Sequence, residues 1–349
     1  MPYTTIDKGS KYFNIITYTG TGASNARTGV GFKPDWVWIK GRSGATDHGL
    51  YDAVRGVQKD LVSNSGSAET TQTTGLTAFG SDGFTVGALA KLNTSSATYV
   101  AWNWLGANTT VSNTSGTITS TVSANTTSGF SIVKWTGTGA TGTIGHGLGI
   151  APKLLILKDT SNAYNWYVYT SATGSNIRFE GLNNTNASTS ATSEFTTTST
   201  LITNVPTFAS LNTSGANMLL YCFAEVKGYS KFGSYTGNGS TDGTFIYTGF
   251  KPAWVMWKRS DSAGYDWDIY DTARDTYNLA FKEILANANT AESSSTVLAL
   301  DILSNGFKLR TTNDNGNGSG GTYIYMAFAS NPFVSSKGIP TTARWLYLY

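Results

Sequence analysis

The chain has 349 residues and a net charge of +3, from 24 Lys and Arg against 21 Asp and Glu. Charged residues make up only 13%, against about 25% in ordinary soluble domains; no basic stripe marks a nucleic-acid surface, and no apolar run approaches the roughly 18 residues of a membrane span. Cys222 is the only cysteine and His48 and His146 are the only histidines, which excludes an intrachain disulfide and leaves a histidine-built metal site short of ligands.

The opening Met1-Pro2-Tyr3-Thr4-Thr5 has neither a basic nor an apolar leader segment, so no signal peptide is expected. A chain without disulfides suits folding in a reducing cytoplasm. The first repeat, residues 11–107, begins with Tyr18-Thr19-Gly20-Thr21-Gly22 and continues through Gly31-Phe32-Lys33-Pro34 to Trp36-Val37-Trp38-Ile39-Lys40. Four successive apolar residues after the proline predict an inner strand, buried on both faces. Lys40 is expected to mark its exit to solvent. Tyr51-Asp52-Ala53-Val54-Arg55 follows, then the hairpin signal Ser81-Asp82-Gly83 before Phe84, and the aromatic closing strand Tyr99-Val100-Ala101-Trp102-Asn103-Trp104. Residues 108–128 are mostly Thr, Ser, Asn and Gly and read either as a connector or as an added edge strand.

The second repeat, 129–227, carries Trp135-Thr136-Gly137-Thr138-Gly139, Pro152, the apolar run Leu154-Leu155-Ile156-Leu157 and Lys158, and closes on Leu220-Tyr221-Cys222-Phe223. Cys222 reads as a small buried hydrophobe. The third, 228–330, carries Tyr235-Thr236-Gly237-Asn238-Gly239, Pro252, Trp254-Val255-Met256-Trp257-Lys258, Tyr270-Asp271-Thr272-Ala273-Arg274 and the turn Ser304-Asn305-Gly306, and closes on residues 323–328. Residues 278–285 have helical spacing, but they align with 59–62 of the first repeat, which argues against a helix. A tail, 331–349, ends in Trp345-Leu346-Tyr347-Leu348-Tyr349. The threefold repeat predicts an all-β chain of three tandem β-sandwich or jelly-roll-like modules.

Little in the chain suits catalysis, and no cofactor is expected. Residues 137–142 spell a dinucleotide-binding glycine pattern but open no helix to hold a pyrophosphate. Residues 313–318 are rich in Asn, Asp and Gly, yet lack the distal glutamate of a calcium loop. Asp266 and Asp268 flank Trp267 and form a carboxylate pair of the kind glycoside hydrolysis needs, at one place only. Asp52 with Arg55, and Asp271 with Arg274, read either as structural pairs across a turn or as a ligand site in the first and third repeats; the second has Thr170 and Thr173 instead. The abundant aromatics, 10 Trp and 19 Tyr, fill cores or stack on sugars, with Trp36 and Trp254 assigned to the core. The apolar alternation at Trp345, Tyr347 and Tyr349 suits a strand that adds to another edge at a subunit contact.

Gly31-Phe32-Lys33-Pro34-Asp35-Trp36-Val37-Trp38-Ile39-Lys40, Ser81-Asp82-Gly83-Phe84-Thr85-Val86-Gly87 and the closing strand 99–104 resemble a repeat domain of uncharacterised function from virion and tail-fibre-like proteins of tailed phages, marine ones especially. Residues 231–239, 250–255 and 128–133 are similar to it as well. The resemblance implies a virion protein folded in the host cytoplasm, part of a tail appendage, fibre or spike that helps attach to a host-surface glycan or protein. Other virion proteins are the expected partners, with a homo-oligomer, by analogy a trimer, and neither nucleic acid nor membrane insertion. Two further readings stand beside it: a capsid decoration or tail-assembly protein without a host ligand, and a glycan depolymerase.

Overall fold

In the computed structural model, which describes residues 4–332, the strand after each proline lies beside the strand that closes its own repeat. The first large sheet runs Phe13–Thr19, Thr98–Trp104, Trp36–Gly41, Gly49–Asp52 in spatial order. The order recurs as Phe130–Thr136, Asn217–Phe223, Leu154–Asp159, Tyr167–Thr170, and again as Ser230–Thr236, Thr322–Pro332, Phe250–Arg259, Trp267–Asp271. Neighbours are antiparallel throughout. A small three-stranded sheet backs each large one: Asn25–Arg27, Gly83–Val86 and Leu76–Gly80 in the first, Gly142–Gly145, Leu201–Val205 and Thr196–Thr197 in the second, Phe245–Tyr247, Gly306–Leu309 and Leu300–Leu303 in the third. The fold is therefore all-β, built of two-layer sandwiches.

Segment 108–128 is laid onto the free edge of the second sheet as two strands, Val111–Asn113 and Ser120–Asn125, the latter paired with Phe130–Thr136. Residues 278–285 form no helix; they contribute a bridge from Ala280 to Leu300 and the short strand Ile284–Leu285. The turns at Asp82 and Asn305 are two-residue hairpin loops.

Alternation along the post-proline strand explains its four apolar residues. Val37 and Ile39 face their own sandwich, where they meet Tyr18, Tyr51, Phe84, Val86 and Tyr99. Trp36 and Trp38 point the other way, into a core shared by all three large sheets. There Trp36, Trp38, Trp102 and Trp104 meet Leu154, Ile156, Tyr221 and Phe223 of the second sheet and Trp254, Met256, Met326 and Phe328 of the third. Three sandwiches thus stand with their large sheets inward around one aromatic centre. Sharing a core buries more apolar surface than three small domains bury separately. Cys222 is fully buried on the opposite, own-sandwich face of its strand.

The lysines behave differently from the expectation that they mark an exit to solvent. Lys40, Lys158 and Lys258 are each 0% exposed. Each continues the inward-facing parity of its strand, so its stem lies at the rim of the shared core while its ammonium turns to backbone carbonyls. Lys40 Nζ donates to Gly41 O at 2.9 Å and Asn289 O at 3.4 Å. Lys158 Nζ donates to Asp159 O and Asn162 O, and Lys258 Nζ to Tyr265 O and Thr185 O. Burial pulls all three down to about 8, from about 10.4 in an unfolded chain. Between those values the unfolded chain binds protons that the folded one does not, so stability should rise with pH, by at most about 1.4 kcal/mol per lysine per pH unit. Urea midpoints measured at pH 7.5, 8.5 and 9.5 should climb, and a triple Lys→Met variant should flatten the climb. A wild-type midpoint that is flat or falling over this range would show the ammonium groups to be solvated.

The recurring Thr-Gly-x-Gly phrase has a local cause. The side chain of Asn93 accepts from Thr21 N at 2.9 Å and donates to Ala23 O and Gly87 O. Asn212 grips Thr138 N and Ala140 O in the same way, and Asn317 grips Asn238 N and Ser240 O. A Cβ on Gly20, Gly137 or Gly237 would come within 2.2, 2.0 or 2.3 Å of a backbone oxygen, so only glycine lets the loop close on its asparagine.

Candidate functional site

The junctions between sandwiches absorb most of the polar residues that stood out in the sequence. Asp52 and Arg55 form an ion pair, Nε to Oδ2 2.5 Å, with side chains 0% and 2% exposed. Arg55 also donates to Leu50 O, Lys59 O and Glu69 Oε2. Asp271 and Arg274 repeat the arrangement, with Arg274 donating to Ile269 O, Lys282 O and Glu292 Oε2. A donor from the next sandwich completes each pair: Tyr221 Oη donates to Asp52 Oδ2 at 2.8 Å, and Trp102 Nε1 to Asp271 Oδ2 at 3.0 Å. Tyr221 and Trp102 occupy equivalent positions on their closing strands; the third equivalent is Met326, which has no donor. The repeat whose carboxylate is missing, with Thr170 in its place, is the one whose neighbour offers methionine. Carboxylate and donor are thus present together or absent together.

A second set of contacts runs round the same ring. Four residues before Asp52, Thr170 and Asp271 stand His48, Trp166 and Trp267. Trp166 Nε1 donates to Val62 O of the first sandwich at 2.8 Å, and Trp267 Nε1 to Gly181 O of the second at 3.0 Å. His48 does the same toward the third, Nε2 lying 3.0 Å from Leu285 O, while its Nδ1 accepts from Trp38 Nε1 at 2.8 Å. Burial lowers this imidazole to about 3, which keeps it neutral and consistent with one accepting and one donating nitrogen. The sequence held no sign of this role, because the equivalence of His48 with two tryptophans appears only once the strands are in register.

His48, Asp52, Trp166, Tyr221, Trp267 and Asp271 of this ring are all buried. An open cleft lies instead on the third sandwich, about 480 Å³ in volume, bordered by Tyr265, Asp266, Glu283, Ser293, Asn313 and Asn315 among others. The two aspartates lie opposite Trp267 but at different depths, because Asp266 precedes the strand Trp267–Asp271 and Asp268 lies within it. Trp267 points to the shared core, Asp266 stays at the cleft, and Asp268 turns into the third sandwich and is 0% exposed. Asn315 seals Asp268, its Nδ2 within 2.6 Å of both carboxyl oxygens, and its Oδ1 accepts from Asp266 N at 2.7 Å. Asn287 Nδ2 fixes Asp266 at 2.7 Å, and Tyr270 Oη lies 3.2 Å from Glu283 Oε1. Burial first, then the Glu283 carboxylate beside it, holds the Asp268 carboxyl well above the usual carboxylate range. The Arg259 guanidinium sits 4.6 Å from the centre of the Tyr265 ring. The cleft therefore presents fixed amides, hydroxyls and carboxylates beside one tyrosine, a lining suited to a neutral, hydroxyl-rich ligand. The carboxyl with the raised affinity for protons is walled off from it.

Among the described residues no group of three or more His, Cys, Asp or Glu is arranged to hold a metal ion, and no helix is long and apolar enough to cross a membrane. Trp345, Tyr347 and Tyr349, proposed from sequence for assembly, lie outside the described residues. No curated protein and no solved structure matches the chain. One family model does, running from residue 8 to residue 332 and so through all three repeats as a single unit. The chain belongs to that family, a domain of unknown function designated DUF7483.

Proposed function

We propose that this chain is a building and binding part of a phage particle, carried on a tail appendage, fibre or spike, whose third sandwich engages a host-surface glycan. The cleft beside Tyr265 is the observation that carries the binding half of this reading. Its amides, hydroxyls and carboxylates are held in place by Asn287, Asn315 and Tyr270 before any ligand arrives, which lowers the entropic cost of binding. The phage half is supported by the repeated phrases around Pro34, Pro152 and Pro252, and by an architecture that reaches one large core without disulfides. Binding without hydrolysis is favoured because Asp268, whose raised affinity for protons suits a general acid, is shut behind Asn315. The edge strand Phe245–Tyr247, with Phe245 and Tyr247 exposed, offers other virion proteins or a second copy a place to pair.

A glycan array probed with the wild-type chain and with Tyr265→Ala tests the reading. The expected result is a defined set of bound glycans, about tenfold weaker or more in the variant at an unchanged melting temperature, with no reducing sugar released. Binding indifferent to Tyr265→Ala would remove the cleft from the account. Sugar release would make the protein a depolymerase. Absence of any glycan ligand, with antibody label on the capsid, would favour a decoration protein.

A further inference from the structure

The three junctions between sandwiches are built alike, and one of them is left open. At each, a backbone N–H of one sandwich donates to the residue two places beyond the buried lysine of the next. Glu292 N donates to Arg42 O at 3.0 Å, Glu69 N to Thr160 O at 2.9 Å, and Ser188 N to Ser260 O at 3.0 Å. Where the third sandwich meets the first, Arg42 reaches across this contact and clamps Glu292 with two bonds, 2.8 and 2.9 Å, while Arg274 holds the same carboxylate at 3.2 Å. Two guanidinium groups and one carboxylate fill that junction.

Where the first sandwich meets the second, Glu69 and Arg55 repeat half of the pattern at 3.1 Å, but the place of Arg42 is taken by Thr160. A cavity of about 180 Å³ remains, lined by Arg55, Lys59, Glu69, Lys134, Thr160 and Asn217. The lining carries three cations against one carboxylate, and Arg55 already pairs with that carboxylate. Lys59 Nζ is 3.8 Å from Glu69 and 3.1 Å from Thr71 Oγ1. The ammonium of Lys134 has no hydrogen bond or ion pair among the described residues. A cation entering the vacant seat would meet Lys59 and Lys134; an anion would meet two ammonium groups in a partly enclosed site, where such contacts are screened less than on open surface.

We infer that this junction is a binding site for one small oxyanion, a carboxylate or a sulfate, held by Lys134 and Lys59. The cavity is several times the volume of a water molecule, enough for such a group and the atoms that carry it. The anion takes the place of the neutralisation that Arg42 and Glu292 achieve internally at the other junction. This site is separate from the cleft at Tyr265, and its ligand is either a free inorganic ion or the acidic group of a sugar.

Isothermal titration at low ionic strength with sodium sulfate and with sodium glucuronate, against a sodium chloride control, tests the inference. One sulfate or glucuronate per chain is expected, weakened about tenfold by Lys134→Gln, the worth of one charge-assisted hydrogen bond. Thr160→Arg, which recreates the filled junction, should abolish binding without lowering the melting temperature, and Tyr265→Ala should leave it unchanged. Binding of sulfate alone identifies a free ion as the ligand; binding of glucuronate points to an acidic sugar. Heats indistinguishable from chloride, or binding that survives both Lys134→Gln and Thr160→Arg, would overturn the inference whatever the glycan array shows.

Discussion

Trp36→Ala is expected to cost roughly 3–5 kcal/mol, the range for emptying a buried aromatic site, and to weaken all three sandwiches at once. Trp36 is 0% exposed. Its ring stacks on Trp104 at 4.3 Å, within its own sheet, and on Tyr221 at 4.3 Å and Phe130 at 5.9 Å, both from the second. Trp254 occupies the equivalent position in the third sheet, against Trp104 and Phe328, both at 5.9 Å. Removing either ring opens a hole that rigid neighbouring sheets cannot close. Calorimetry should therefore show one transition moved to lower temperature. An early melt of one part with the rest unmoved would show three independent cores, and an unchanged melt would show the tryptophans to be surface platforms. Trp36→Phe should cost clearly less than Trp36→Ala, since the indole Nε1 has no hydrogen-bond partner and phenylalanine removes an unpaired buried donor along with part of the ring.

The parts of this fold visible in the sequence are those fixed by neighbours along the chain. The two-residue turns at Asp82 and Asn305, the inner strands after the prolines and the buried place of Cys222 all follow from local pattern. The residues that escaped are those whose meaning depends on a partner far away. Asn93, Asn212 and Asn317 each grip a loop some 70 to 80 residues upstream, and nothing near them in sequence signals that. Lys40 looks like the polar end of a strand; only the shared core explains a lysine continuing the inward face to meet Asn289. Asp266 and Asp268 looked like a pair because a single residue separates them, yet Asp266 lies just before the strand and borders the cleft, while Asp268, inside the strand, is buried. The Asp and Arg motif was readable as a pair, but its link to Tyr221 and Trp102 was not.

That link makes the Asp52 pair the sharper test of how the sandwiches are joined. Asp52→Ala should cost about 3–5 kcal/mol, because it removes the nearer and fully buried of the two carboxylates that neutralise the Arg55 guanidinium, leaving only Glu69 at 3.1 Å. It also strips Tyr221 of its acceptor and Val54 N and Arg55 N of theirs, at 3.1 and 2.9 Å. Arg55→Ala should cost a similar amount, since Asp52 would then remain buried with only neutral donors. The double variant should lose less than the sum, because each single change already carries the penalty of a buried charge without its nearest partner. Tyr221→Phe should cost about 1.5–3 kcal/mol in the wild-type chain, the worth of a hydrogen bond to a charged group, and close to nothing once Asp52 is alanine. Urea unfolding of the four variants and their combinations reads all of these differences. Additive losses for Asp52 and Arg55 would mean that the pair contributes through separate contacts. A Tyr221→Phe cost that persists without Asp52 would mean that the first and second sandwiches are held by packing alone, with the hydrogen bond between them an incidental one.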